Sequence, residues 1–112
     1  MTVSSTLPLS EKDFKAVICN DRIKKVGIEF FTDALAAQPL YKLNANDWNV
    51  WLNSICDFCK NGNRKCYAEN AFNIVSDKCD INTLDVKNLL CNEIDTPEDC
   101  VTVSAMVQAL TE

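Results

Sequence analysis

The longest regular pattern of hydrophobic positions lies between residues 46 and 66. Apolar side chains recur there every three or four residues, the spacing of one helix face: Trp48, Trp51, Leu52, Ile55, Cys56 and Cys59. Asn44 or Asn46 is placed to cap this helix, and Asn61-Gly62 to end it. The pattern predicts a helix whose apolar stripe is buried at the centre of the core.

The same periodicity predicts helices on both sides. One begins at Ser10 and buries Phe14, and a second runs from Ile23 to Leu35 and ends before Pro39. Further helices are expected at about 66–77 and from Asp80 or Thr83 to Leu90. A last helix is expected after Thr96-Pro97-Glu98-Asp99, where a hydroxyl cap precedes Pro and two carboxylates.

These patterns predict an all-α fold, a single compact bundle of five to six short helices. The scarcity of glycine and proline, two and three residues respectively, also argues against a β fold with many turns. Residues 1–9 show no periodic pattern and are expected to form a flexible N-terminal segment. Residues 10–112 would then form a single helical domain.

The charge of the chain restricts its partners. Sixteen acidic and eleven basic residues give a net charge of −5, which disfavours nucleic acid as a partner. The sequence has no run of 18 apolar residues, so no membrane span is expected. The absence of a signal-peptide pattern and the odd number of cysteines favour a cytoplasmic over a secreted location.

Seven cysteines leave three possibilities open. Cys56 and Cys59 form a Cys-x-x-Cys pair, and because the chain has no histidine a zinc site would have to add Cys66 and one further cysteine, Cys79 or else Cys91 or Cys100. Disulfides could instead join neighbouring helices, with short loops separating two candidate pairs, Cys59 with Cys66 and Cys91 with Cys100. The third possibility, which we favour, is that the thiols are reduced and pack as small hydrophobic groups. No cofactor is expected.

The sequence lacks the groups on which most enzymes depend. Without histidine, neither a Ser–His nor a Cys–His nucleophile can form, and two isolated glycines exclude a phosphate-binding loop. The Cys-x-x-Cys pair lies near a helix C-terminus, where the dipole disfavours the thiolate of a redox site. The carboxylates Asp95, Glu98 and Asp99 are better explained as helix caps. We therefore expect a protein that is not an enzyme.

Two basic clusters remain as candidate partner-binding residues. One contains Arg22, Lys24 and Lys25, and the other contains Lys60, Arg64 and Lys65 around Gly62. Such clusters on an acidic chain suit an acidic protein partner. The sequence thus favours a non-enzymatic protein–protein interaction module. The alternatives are a secreted, disulfide-stapled helical carrier of a small apolar ligand and a structural cysteine–zinc domain.

Overall fold

A computed structural model describes residues 1–38 and 40–112, and it combines a sheet with three α-helices. The predicted stop signal of the second helix, Pro39, lies outside the described residues. The strands are β1 (Thr2–Ser4), β2 (Lys15–Cys19), β3 (Arg22–Gly27), β4 (Ala34–Ala37) and β5 (Leu84–Asp85). The helices are α1 (Ala45–Lys60), α2 (Ala68–Val75), which continues into a 3-10 turn (Ser76–Lys78), and α3 (Pro97–Thr111).

The five strands form one mixed sheet in the order β3-β2-β4-β1-β5. Neighbours are antiparallel except at one edge, where β1 and β5 run parallel. The prediction of an all-α bundle of five to six helices is therefore wrong.

The first two predicted helices are wrong, because their residues form the β2–β3 hairpin, an irregular segment after it and the start of β4. Asn20 and Asp21 join the strands in a two-residue turn with φ values of 52° and 62°, and Cys19 pairs with Arg22. Two consecutive left-handed residues define the type I′ turn, whose twist matches that of antiparallel strands. β-Branched residues flank this turn on both sides, and they favour strands over helices: Val17, Ile18, Ile23 and Val26.

The N-terminal residues lie inside the molecule. The sequence predicted a flexible segment over residues 1–9, but Met1 to Ser4 are all buried, with the side chain of Val3 fully enclosed. Strand β1 pairs with β4 and β5, which lie more than 30 residues away along the chain. Pairing over that distance leaves no local pattern in a three-residue segment, so periodicity could not reveal it.

Helices α1 and α2 pack together, and α2 also packs against β3. Trp51 of α1 meets Phe72 of α2 with ring centroids 5.3 Å apart, within the range of favourable aromatic contacts. The core joins these two side chains to others from the N-terminal residues, the sheet, α2 and the segment that follows α2: Met1, Val3, Ala16, Ile23, Val26, Trp51, Ala71, Phe72, Cys79 and Ile81.

The amide side chain of Asn73 connects α2 to the outer strand β3. Its Oδ1 accepts from the Val26 N–H at 2.7 Å, and its Nδ2 donates to the Val26 carbonyl at 2.8 Å. The Lys25 ammonium donates to the Asn73 carbonyl at 2.7 Å. One side chain thus satisfies both backbone groups of Val26 that point away from β2.

The remaining helix predictions had mixed outcomes. The helix expected at about 66–77 is confirmed as α2 and its 3-10 turn, and the helix after Thr96 is confirmed as α3. The helix expected from Asp80 or Thr83 to Leu90 is wrong, since the only regular element there is the short strand β5. β5 is held by β1 rather than by a local pattern, because the Leu84 N–H donates to the Met1 carbonyl and the Val86 N–H to the Val3 carbonyl.

Candidate interaction surfaces

Helix α1 is confirmed, but its buried face is not the predicted one. The Asn44 side chain caps its first turn by accepting from the Asp47 N–H at 2.8 Å. The buried face contains Asp47, Trp51 and Ser54. Two hydrogen bonds of 2.8 Å fix it to α2, from Trp51 Nε1 to the Ala68 carbonyl and from Ser54 Oγ to the Ala71 carbonyl. These polar anchors rotate the helix away from the orientation that apolar spacing alone predicts.

The rotation leaves part of the predicted apolar stripe open to solvent. Trp48 is 37% exposed and Leu52 is 48% exposed, and both thiols of the Cys-x-x-Cys pair are exposed. Trp48 stacks on Trp51 with centroids 5.7 Å apart, which holds its ring in place on the surface. We call this surface the α1 stripe; its members lie at positions i, i+4, i+8 and i+11 of one helix: Trp48, Leu52, Cys56 and Cys59.

The α1 stripe ends at an ordered loop, Lys60–Cys66, which we call the basic loop. The Gly62 N–H donates to the Cys59 carbonyl at 3.2 Å and the Asn63 N–H to the Phe58 carbonyl at 2.8 Å. With Gly62 at φ +82°, these two bonds form a Schellman motif. The predicted termination of α1 at Asn61-Gly62 is confirmed, and the motif gives the basic loop a defined backbone.

The cations of the basic loop have no carboxylate partner within the described residues. Lys60, Arg64 and Lys65 are exposed, and the two ion pairs found there join Lys12 to Asp99 and Arg22 to Asp80. Arg64 makes one long hydrogen bond, from Nε to the Cys59 carbonyl at 3.4 Å. The charge of this cluster is therefore available to another molecule.

The second predicted basic cluster is used within the fold. Arg22 pairs with Asp80 at 3.2 Å and donates from Nη2 to the Cys79 carbonyl at 2.6 Å. Lys25 holds the Asn73 carbonyl, and Lys24 is half-buried. Arg22 and Lys25 therefore attach the β2–β3 hairpin to α2 and the segment after it, which makes the basic loop the stronger candidate surface.

Helix α3 has a well-formed N-terminus but no buried residue. Thr96 Oγ1 accepts from the Asp99 N–H at 3.1 Å and the Asp99 carboxylate accepts from the Thr96 N–H at 3.0 Å, so the predicted cap is confirmed. Val107 and Leu110 are 45% and 69% exposed. We call its apolar line the α3 seam; its spacing of i, i+3, i+7 and i+10 is that of a coiled-coil seam: Cys100, Val103, Val107 and Leu110.

Two cavities border α3. An apolar groove of about 330 Å³ lies between its C-terminal half and the segment after β5, and it is lined in part by Leu89, Leu90 and Met106.

A second cavity of about 450 Å³ is charged, with Lys12, Lys15, Asp13, Glu93, Asp95 and Asp99 in its wall. Partial desolvation, and then the adjacent Asp95 carboxylate, raise the pKa of Glu93 although its side chain stays largely exposed.

All seven cysteines are free thiols in this structure, including the proposed pairs Cys59 with Cys66 and Cys91 with Cys100. Cys56, Cys59 and Cys66 are exposed, whereas Cys79 is buried in the core. Across residues 1–38 and 40–112, no three side chains of the metal-binding types converge on one point. The cysteines considered for zinc therefore do not form a common site in the described chain.

Comparison with known proteins found no matching family model, no similar curated protein and no similar solved structure. Among the helices of the described chain, none has both the length and the apolar character needed to cross a bilayer. The surfaces themselves are therefore the only basis for a functional proposal.

Sequence reasoning identified the basic loop but missed the α1 stripe as a surface, because nothing in the spacing showed that Trp51 and Ser54 would be anchored by hydrogen bonds.

Proposed function

We propose that the protein is a non-enzymatic protein–protein interaction module that binds an acidic, amphipathic helix of another protein. The observation that supports this proposal is the position of the unpaired basic loop at the end of the open α1 stripe. The loop offers three cations and the stripe offers Trp48 and Leu52. An apolar anchor beside a charged rim is the usual composition of a protein-binding surface.

Charge favours an acidic partner. The whole chain carries −5, so without the three cations of the basic loop the remainder carries −8. A partner with carboxylates is attracted to the loop and repelled by the rest of the surface, which orients its approach. Nucleic acid is disfavoured, because a phosphate backbone extends beyond one loop and would meet that acidic remainder.

The geometry favours a helical partner. The α1 stripe is linear and follows a helix axis, and the apolar face of a second helix can lie along such a line with contacts at i, i+3, i+4 and i+7. The Schellman motif turns the chain at the end of α1, so the three cations lie next to one end of that line in the sequence. The carboxylates of the partner are therefore expected near one end of its apolar face.

A displayed library of helical peptides tests the proposal. Peptides selected on the immobilised protein should carry Asp or Glu at one end of an apolar face. The K60E/R64E/K65E variant should bind them at least ~10-fold more weakly, because it reverses every charge at the contact. The matched control K42E/K78E/K87E makes the same net change at exposed lysines elsewhere and should alter binding less than ~3-fold.

A second pair of variants tests the apolar part. Leu52→Glu places a charge within the α1 stripe, and Asn53→Glu places the same charge on the neighbouring exposed position. Only Leu52→Glu should reduce affinity for the selected peptides, by at least ~10-fold. Selection of peptides without acidic residues, equal losses in each variant and its control, or tighter binding of a single-stranded oligonucleotide would each overturn the proposal.

A further inference from the structure

The molecule exposes more surface than a compact monomer of its size. Its accessible surface is 7587 Å². A folded monomer of 12.5 kDa is expected to expose about 6,200 Å², so the excess is about 1,400 Å². The radius of gyration agrees, at 15.3 Å against about 13.2 Å expected for a chain of this length.

Helix α3 contributes to this excess, since none of its fifteen residues is buried. A short helix is marginal in water unless tertiary packing covers its apolar side. A standard protein interface covers about 800 Å² on each partner, which is less than the excess surface of this chain. The chain therefore exposes more additional surface than one standard interface would cover, and the unburied helix α3 is part of that surface.

The chemistry of α3 indicates what covers it. Residues 100–111 contain no charged side chain, although the chain as a whole carries −5. A second copy bears the same negative charge, so it meets the least repulsion at this stretch. The residues Ser104, Met106 and Thr111, which flank the seam, carry no charge. Charges at flanking positions normally direct a helix toward a different partner, so their absence here favours a second copy.

We propose that the α3 seam is covered by the α3 seam of a second copy, so that the protein forms a symmetric dimer. The apolar groove beside α3 enlarges this interface, because Met106 and Leu110 line both the helix surface and the groove. Each copy then contributes the same patch, as two-fold symmetry requires. The proposal does not rest on the proposed function, which uses the α1 stripe and the basic loop.

Sedimentation equilibrium over a concentration series tests the dimer. The wild-type mass should approach twice 12.5 kDa as the concentration rises. The V107E/L110E variant places two charges in the α3 seam and should raise the dimer dissociation constant at least ~100-fold. The control A105E/Q108E places the same charges on the opposite side of α3 and should leave the dissociation constant within ~3-fold of wild type.

Circular dichroism separates lost association from lost folding, because V107E/L110E changes no buried residue and should retain the wild-type spectrum. A wild-type protein that stays monomeric up to about 300 μM, a range that covers stable dimers, overturns the proposal. Two other results would also overturn it: equal weakening of the dimer by V107E/L110E and by A105E/Q108E, or a monomeric wild type whose α3 seam binds a different protein. Binding of the acidic peptides by V107E/L110E reports on the α1 surface separately, so the two proposals can fail independently.

Discussion

Buried polar contacts at single residues determine how the elements of this molecule pack. Trp51 and Ser54 each donate to a carbonyl of α2, and Asn73 bonds both backbone groups of Val26. An unpaired buried donor or acceptor costs about 1–3 kcal/mol, comparable to the contribution of an apolar side chain. Such contacts therefore select one packing among several that would bury similar apolar area.

Asn73→Ala should lower the free energy of unfolding by about 2 to 3 kcal/mol, because it leaves the N–H and the carbonyl of Val26 without partners. Urea denaturation followed by tryptophan fluorescence measures the change. Asn53→Ala, at an exposed position of α1, should change it by less than about 0.5 kcal/mol. A loss for Asn73→Ala no greater than that of the control would contradict this role.

The thiols should differ in reactivity according to their burial. Burial raises the pKa of the Cys79 thiol, and the carboxylates of Asp47 and Asp77 raise it further, so little thiolate forms at neutral pH. Iodoacetamide should modify the five exposed cysteines first under native conditions and Cys79 last: Cys19, Cys56, Cys59, Cys66 and Cys100. Peptide mass spectrometry over time gives the order, and early labelling of Cys79 would show that the core is open.

The ends of the helices could be predicted at the scale of the element, whereas the strands could not. Caps depend on residues three or four positions apart, so Asn44 and Thr96 identify α1 and α3 from the sequence. In the hairpin, Ile23 and Val26 are three positions apart, which fits a helix, and both are buried in one strand because the pairing of β2 with β3 shifts register between them. The decisive local feature was the turn at Asn20-Asp21. The basic loop was predictable because it follows a local termination signal, whereas the α1 stripe depends on contacts with a distant helix.

Gly62→Ala should destabilise the protein by about 1 kcal/mol, since an L side chain is strained at φ +82°. No atom lies close enough to clash with the added methyl group, so the cost is conformational rather than steric. Thermal denaturation measures the stability, and the same variant should weaken acidic-peptide binding by disordering the basic loop. Unchanged stability would show that the Schellman motif does not persist in solution.

The N-terminal turn of α3 should weaken in acid. Hydrogen bonding from Thr96, and then from the Asp95 N–H, lowers the pKa of Asp99 below its ordinary value of 3.8. A carboxyl group with a lowered folded-state pKa stabilises the fold above its unfolded pKa, and this contribution is lost as the pH falls through the folded pKa. The amide chemical shifts of residues 96–100 should therefore move toward random-coil values below about pH 4. Asp99→Ala should show the acid-like shifts already at pH 7.

At the scale of the whole molecule, the sheet with α1 and α2 should fold without α3. Ending the chain after Asp95 removes no buried side chain and only one ion pair, Lys12 with Asp99 at 3.6 Å. A surface pair of this kind contributes about 0–1 kcal/mol. Measured at a concentration where the full chain is monomeric, the free energy of unfolding should thus fall by no more than about 1 kcal/mol. A larger loss would mean that α3 packs on the sheet in solution.

The position of Asn73 also bears on how the molecule avoids aggregation. Strand β3 is an outer strand of the sheet, and unpaired backbone groups on an outer strand are a template for a strand from another molecule. The Asn73 amide occupies the donor and acceptor of Val26 that such a strand would use. Replacing it would therefore do more than lower stability, since it would free both groups of Val26 and leave the packing of α2 as the protection of this part of the strand against pairing with another molecule.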